Sequence, residues 1–292
     1  MPIYYPDILK EGTLPLRFSY TDKDLMLYAL GIGMGQDPMN SDELQFVYEK
    51  ELKVVPTVAT VLAQAAVRRS KRLPQTDGHR ESAPNRLMAV HGDQKVELYK
   101  PWPSVATFTA ESRTIGAFDK GKDKGAVLVV ETICKDKSGD VVARLTASSF
   151  YRADGGFGGP SERQAGAHIT PSRKPDLSVR LSTRPDQALL YRLNGDRNPL
   201  HADPGSARRS GFPGPILHGL CTYGLTCRAV LQAFTNYDPD KIASHEARFS
   251  APVFPGETVT VDLWQDGAVI SFEARVTNRG ATVIKNGKTV LR

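Results

Sequence analysis

Apolar positions along the chain follow two periods, and the switch between them occurs twice in the same order. Val54-Val-Pro-Thr-Val-Ala-Thr-Val-Leu-Ala-Gln-Ala-Ala66 is apolar over a helical length, and Ile216 to Phe234 repeats that character over a longer run. After each, apolar and polar residues alternate with period two between turn-forming residues, which marks strands. The first set covers Thr107 to Ile115, Ala126 to Lys135 and Val141 to Tyr151. The second covers Ser244 to Phe249, Thr258 to Gln265, Val269 to Thr277 and Thr282 to Asn286. A short amphipathic helix precedes each long one. Asp24-Leu-Met-Leu-Tyr-Ala-Leu-Gly31 and Gln187-Ala-Leu-Leu-Tyr-Arg-Leu-Asn194 share their apolar spacing and a central Tyr-x-Leu. Glu97 to Pro103 echoes Arg248 to Pro255. The pattern predicts an α+β chain in two copies, each an antiparallel sheet with one long helix. A Gly-, Ser- and Pro-rich stretch from Gly155 to Arg173 reads as linker. It divides the chain into 1–155, a linker at 156–173, and 174–292.

The copies differ in the loop after the short helix. The first reads Leu30-Gly-Ile-Gly-Met-Gly-Gln-Asp-Pro38 and the second Leu193-Asn-Gly-Asp-Arg-Asn-Pro-Leu-His201. The second packs a carboxylate (Asp196), a carboxamide (Asn198) and an imidazole (His201) around turn formers. Gly195 permits a sharp turn, Pro199 suits the first turn of a helix, and Asn198 before it is a natural cap. Asp196 and His201 are then on opposite sides of one turn, able to share a water as an acid–base pair. A second small cluster, Gly214-Pro-Ile-Leu-His-Gly219, leads into the long helix. The first loop holds no histidine and no paired acid.

Gly195-Asp-Arg-Asn-Pro-Leu-His201, with Tyr191 before it and Asp203-Pro204 and Pro215-Ile-Leu-His-Gly219 after it, resembles the signature of the hydratase 2 or MaoC-like family. Leu25 to Gly33, Phe46-Val-Tyr-Glu49, His91-Gly-Asp-Gln94, Leu98-Tyr-Lys-Pro101 and Gly155-Gly-Phe-Gly-Gly159 are similar to the family's two-domain members, so the likeness covers nearly the whole chain. It implies a tandem, or double, hot-dog fold and hydration of trans-2-enoyl-CoA to (R)-3-hydroxyacyl-CoA. In that scheme Asp196 and His201 hold the attacking water and Asn198 holds the loop. The backbone N–H of Gly219, at a helix N-terminus, receives the charge that builds on the thioester oxygen. Gly195 and His218 line the substrate site, and Glu49 matches a family glutamate near it. The first copy is expected to bind the acyl chain, with Gly31 to Gly35 as a flexible apolar loop. A homodimer is expected. No metal or other cofactor is expected, because no Cys/His/carboxylate set has ligand spacing and coenzyme A is part of the substrate. Two readings stay open beside this one: a hot-dog acyl-CoA thioesterase, and a non-catalytic acyl-CoA-binding protein. The complete Asp196, Asn198, His201 string favours the hydratase.

Composition narrows the setting. Of 292 residues, 40% are hydrophobic and 24% charged, as in an ordinary globular chain. Ile216 to Phe234, the most apolar run, carries His218, Arg228 and Gln232 and reads as a buried helix, so no membrane span is expected. The start, Met-Pro-Ile-Tyr-Tyr-Pro, lacks the basic and apolar parts of a signal peptide. Cys134, Cys221 and Cys227 are too few and irregular for a disulfide framework, which points to a reducing compartment. The Val-Leu-Arg ending differs from a Ser-Lys-Leu peroxisomal address, so a cytoplasmic, bacterial-type setting is expected. Part of the net charge of +6 is gathered in Arg68, Arg69, Lys71 and Arg72, a candidate edge for the phosphates of coenzyme A. No aromatic residue interrupts that cluster, so nucleic acid is not expected. His79, His91, His168 and His245 have no partner motif and are expected in surface or core roles, and Tyr28 and Tyr191 in the core.

Overall fold

Each alternating run becomes a strand. The first copy contributes β1 (Leu16–Tyr20), β2 (Ala89–Leu98), β3 (Ala106–Asp119), β4 (Ala126–Lys135) and β5 (Val141–Tyr151). The second contributes β6 (Leu177–Ser182), β7 (Ile242–Phe249), β8 (Thr258–Asp266), β9 (Val269–Val276) and β10 (Ala281–Leu291). The structure, a computed structural model, describes residues 3–74, 78–85, 89–162 and 167–292, so residues 163–166 of the expected linker are outside the described residues.

The strands form one antiparallel sheet in the order β1-β3-β4-β5-β2-β7-β10-β9-β8-β6. Read inward from either edge, the order is the same. The seam is β2 against β7, in register from Asp93↔Arg248 to Glu97↔Ser244. There Arg248 Nε meets Asp93 Oδ1 at 2.7 Å. The two expected sheets are therefore halves of one.

Three strands escaped the alternation rule. β1 and β6 are short edge strands, with five and six residues. β2 opens with Ala-Val-His-Gly-Asp-Gln, too polar to signal a strand, because it is placed by pairing on both sides rather than by burial of one face.

The helices are α1 (Asp22–Gly31), α2 (Ser41–Leu44), α3 (Val58–Val67), α4 (Gln187–Tyr191), α5 (Pro204–Arg209) and α6 (Gly219–Phe234). Every residue of α6 from Cys221 to Leu231 is buried. Burial of a large apolar side chain contributes about 1.5–3 kcal/mol, so this helix is the centre of the second copy. His245 is fully buried beneath it, held by the hydroxyls of Thr226 at 3.0 Å and Thr289 at 2.7 Å. The three cysteines are free and buried. Among the described residues, no helix is long and apolar enough to cross a membrane.

Candidate active site

The loop after α4 is built by local rules. Gly195 has φ +112°, a left-handed conformation that favours glycine. Asn198 then caps a single 3-10 turn, Pro199–His201, its side-chain oxygen accepting the Leu200 N–H at 3.0 Å. Asp196 Oδ1 accepts the Asn198 N–H at 3.3 Å, which ties the carboxylate to the same turn. Asn198 is exposed and its oxygen is engaged in the cap, so it holds the loop.

His201 is buried at 8% exposure, and its Nδ1 lies 2.8 Å from the Ile216 carbonyl. A carbonyl only accepts, so Nδ1 carries the proton and Nε2 is a bare acceptor. Burial lowers the His201 pKa below its ordinary value. His218 lies flat against it, ring centroids 3.7 Å apart and planes 24° from parallel. Its Nε2–H donates to the Asp196 carbonyl at 3.0 Å, and its Nδ1 is buried without a partner. Burial, and then the neighbouring His201, push His218 down to about 4. His218 is also the residue before α6. One side chain thus touches the Asp196 loop, the His201 ring and the start of the helix whose first amide, Gly219, has no helical acceptor.

Ligating atoms of Asp196, His201 and His218 come within 4.8 Å of one another, which corrects the expectation that no such set assembles. Spacing in the chain conceals it because His218 arrives from a different element. In this arrangement His201 Nδ1 is engaged by the Ile216 carbonyl and His218 Nε2 by the Asp196 carbonyl. A water can span two of the groups at hydrogen-bond length. The adjoining pocket, lined by Val61, Gln64, Arg68, Tyr191, Asp196 and Leu220 among others, leaves about 20 Å³, enough for one water.

The pseudo-equivalent place in the first copy is filled. Gly31 to Gly35 is not the flexible loop expected: Ile32 and Met34 are 0% and 1% exposed, packed into the common core. Gln187 Nε2 donates to the Gly31 carbonyl at 2.6 Å, and Gly35 N–H to Glu43 Oε2 at 3.0 Å. Glu43 pairs with Arg228 of α6 at 2.7 Å, both buried. A side chain at Gly33 would start 2.8 Å from Gln36 Nε2 and 3.1 Å from Arg228 Nη1, at φ +83°. Apolar glycine-rich composition looked mobile in sequence because the ion pair and helix that enclose it come from elsewhere.

The other candidates are scattered. Glu49 is exposed in the turns after α2 and makes no hydrogen bond or ion pair to a described residue. The acid that packs inward from this segment is Glu43, which the sequence reading passed over. Of the basic cluster only Arg68 reaches the loop, with Nη1 3.8 Å from Asp196 Oδ1. Arg69 donates to the Ala65 carbonyl of α3, Arg72 pairs with Glu81, and Lys71 is exposed. Tyr28 and Tyr191 are in the core, each at 1% exposure.

A family model described as MaoC like domain matches residues 166–287. One described as MFE-2 hydratase 2 N-terminal domain matches residues 18–153. The chain is 38% identical, over 98% of both chains, to the enoyl-CoA hydratase ChsH3 of Mycobacterium tuberculosis. It belongs to the MaoC-like, hydratase 2 family. The crystal structure of a MaoC-like dehydratase from Phytophthora capsici superposes with a TM-score of 0.87 at 34% identity, over 99% of each chain. The full-length peroxisomal multifunctional enzyme type 2 of Drosophila melanogaster superposes with a TM-score of 0.81 at 35% identity, over 96% of this chain and 48% of that one. This MaoC-like chain thus spans about half of the fly enzyme, and its fold is the double hot-dog.

Proposed function

We propose that the chain hydrates trans-2-enoyl-CoA thioesters reversibly to (R)-3-hydroxyacyl-CoA. The observation that carries this reading is the approach of the Asp196 carboxylate and the His201 imidazole to within 4.8 Å, beside a water-sized pocket that Asp196 lines. Family membership and a 38% identical relative named enoyl-CoA hydratase support it. Water held by the pair attacks C3 as it gives up a proton, and a proton is delivered to C2. The carbon–carbon double bond is consumed, with hydroxyl on C3 and hydrogen on C2. Negative charge moves onto the thioester oxygen, where the Gly219 N–H receives it; such a donor lowers the barrier by about 3–4 kcal/mol. Asn198 holds the loop, and Arg68 is placed to pair with a phosphate of coenzyme A.

The first copy supplies substrate-binding surface, through Val61, Gln64 and Ala65 of α3 rather than through its glycine loop. The pocket is only water-sized, so an acyl chain enters by displacing side chains along α3. The reaction draws on no metal or added cofactor, and turnover persists in chelator. The test is one assay with crotonyl-CoA and longer enoyl-CoAs that follows double-bond absorbance, free thiol and product chirality. Loss of absorbance without thiol release, giving the (R) product, is expected. Thiol release with the double bond intact overturns the reading in favour of a thioesterase. Light scattering checks the homodimer and fractionation the cytoplasmic location proposed for it.

A further inference from the structure

One unpaired polar atom beside the site comes from the first copy. His91 is near the start of β2, and its ring packs on Phe249 of β7 with centroids 4.7 Å apart. Phe249 in turn lies against the start of α6: a Cβ added to Gly219 would stand 3.3 Å from its Cε1. His91 is therefore one aromatic ring away from the amide assigned to the thioester oxygen. The charges of Arg68 and Asp196 both act on it. Its Nε2 is buried with no partner, so the hydrogen bond to the Asp93 backbone falls to Nδ1. That bond favours the protonated ring, so it runs from Nδ1–H to the Asp93 carbonyl and leaves Nε2 a bare acceptor. Burial pushes His91 down to about 4, which keeps the ring neutral near pH 7.

A buried acceptor without a donor is costly, by about 1–3 kcal/mol. The reacting end of the substrate offers it nothing: an enoyl chain carries only C–H, and a thioester only an acceptor oxygen and a sulfur. The first donor along a coenzyme A thioester is the amide N–H two methylenes beyond the sulfur. We propose that His91 Nε2 accepts that amide N–H, so that the first copy fixes the pantetheine arm while the second performs the chemistry. The inference rests on the hydratase reading.

The test compares crotonyl thioesters of coenzyme A, of N-acetylcysteamine, which keeps the amide, and of butanethiol, which lacks it. His91→Phe retains the aromatic contact with Phe249 and removes the acceptor; His91→Gln returns an acceptor oxygen. His91→Phe is expected to raise KM by about 3- to 10-fold for the two amide-bearing thioesters, the size of one hydrogen bond. The kcat and the butanethiol ester should be unaffected, and His91→Gln should recover most of the loss. Equal changes on all three thioesters, or no change on any, overturn the inference. The wild-type protein provides a reading that needs no variant: its KM must be lower for the N-acetylcysteamine ester than for the butanethiol ester. If it hydrates all three with indifferent KM, His91 has no such role although the hydratase reading stands. If it hydrates none, that reading falls and the inference with it.

Discussion

Tyr28 and Tyr191, the central tyrosines of the two repeated helices, face each other across the join with ring centroids 6.0 Å apart. Their hydroxyls have different fates. Tyr28 donates to Thr57 Oγ1 at 2.8 Å, and Thr57 is the residue before α3. The residue before α6 is His218, and the Tyr191 hydroxyl is buried without a partner. Removing a partnered hydroxyl strands the Thr57 oxygen, whereas removing an unpartnered one strands nothing. Tyr28→Phe should then cost about 1–2 kcal/mol in urea unfolding and Tyr191→Phe less than about 0.5 kcal/mol. Equal losses would show that the Tyr191 hydroxyl has a structural partner after all.

Asp196→Asn and His201→Ala should each lower kcat by roughly 10²–10⁴, the size of an acid–base contribution. Because both act on one water, the double variant should lose far less than the product of the two losses. Stability separates them. Asp196 has a part-exposed side chain, so its replacement leaves the melting temperature nearly unchanged. His201 is buried and bonded to Ile216, so its loss costs about 1–3 kcal/mol. Strictly multiplicative losses in kcat would argue against the shared water.

His218 acts through its neighbours. His218→Phe keeps the stack on His201 but drops the bond to the Asp196 carbonyl. A small displacement of the loop follows, and misplacement approaching 1 Å costs up to about 10²-fold in rate. The fall is expected in kcat with KM for crotonyl-CoA little changed. A change confined to KM would place His218 on the substrate instead.

Acid should weaken the fold along a defined window. Burial lowers the pKa of His201, takes His91 and His218 to about 4, and takes His245 to about 3. These rings are neutral in the folded chain, whereas the unfolded chain takes up protons below about pH 6.5. The stabilisation is complete above about 6.5 and is lost as the pH falls toward 4, because the unfolded state then binds more protons. Melting temperature should fall steadily over that window. The acid limb of kcat/KM, set by protonation of His201, should have its midpoint below 6.5. A flat melting profile from pH 7 to 4.5 would contradict the buried neutral rings.

The Glu43–Arg228 pair closes the first copy's pseudo-site. Glu43→Gln leaves a buried guanidinium uncompensated and should cost about 3–5 kcal/mol. Replacing both together, Glu43→Leu with Arg228→Met, should cost less than either single change, since no charge is stranded. Urea unfolding of the three variants checks this, and additive losses would show that the pair is not coupled.

Much of the molecule can be read from local pattern. Alternation marked Ala126–Lys135 and Val141–Tyr151 to the residue, because strand period and turn chemistry are properties of neighbours in the chain. The motif from Gly195 to His201 was legible for the same reason: a turn glycine, a cap and a proline build the loop without outside help. The Gly195, Asn198 and Pro199 geometry then followed as expected.

What the pattern could not supply is proximity across long separations. β2 looked polar because its partners, β5 and β7, define it more than its own residues do. Glu43 rather than Glu49 turns inward because Arg228, 185 residues away, is there to neutralise it. His218 stacks on His201 and His91 packs on Phe249 only once α6 and the β2–β7 seam are in place. By itself the sequence determined the duplication, the two helix types and the turn from Gly195 to His201, all of which rest on contacts within a few residues. The tertiary structure decided which polar groups are paired, which are left buried and bare, and that a pocket remains between α3 and the loop after α4. The reason is that desolvation acts on groups gathered from distant segments, and its cost depends on every neighbour that packing brings.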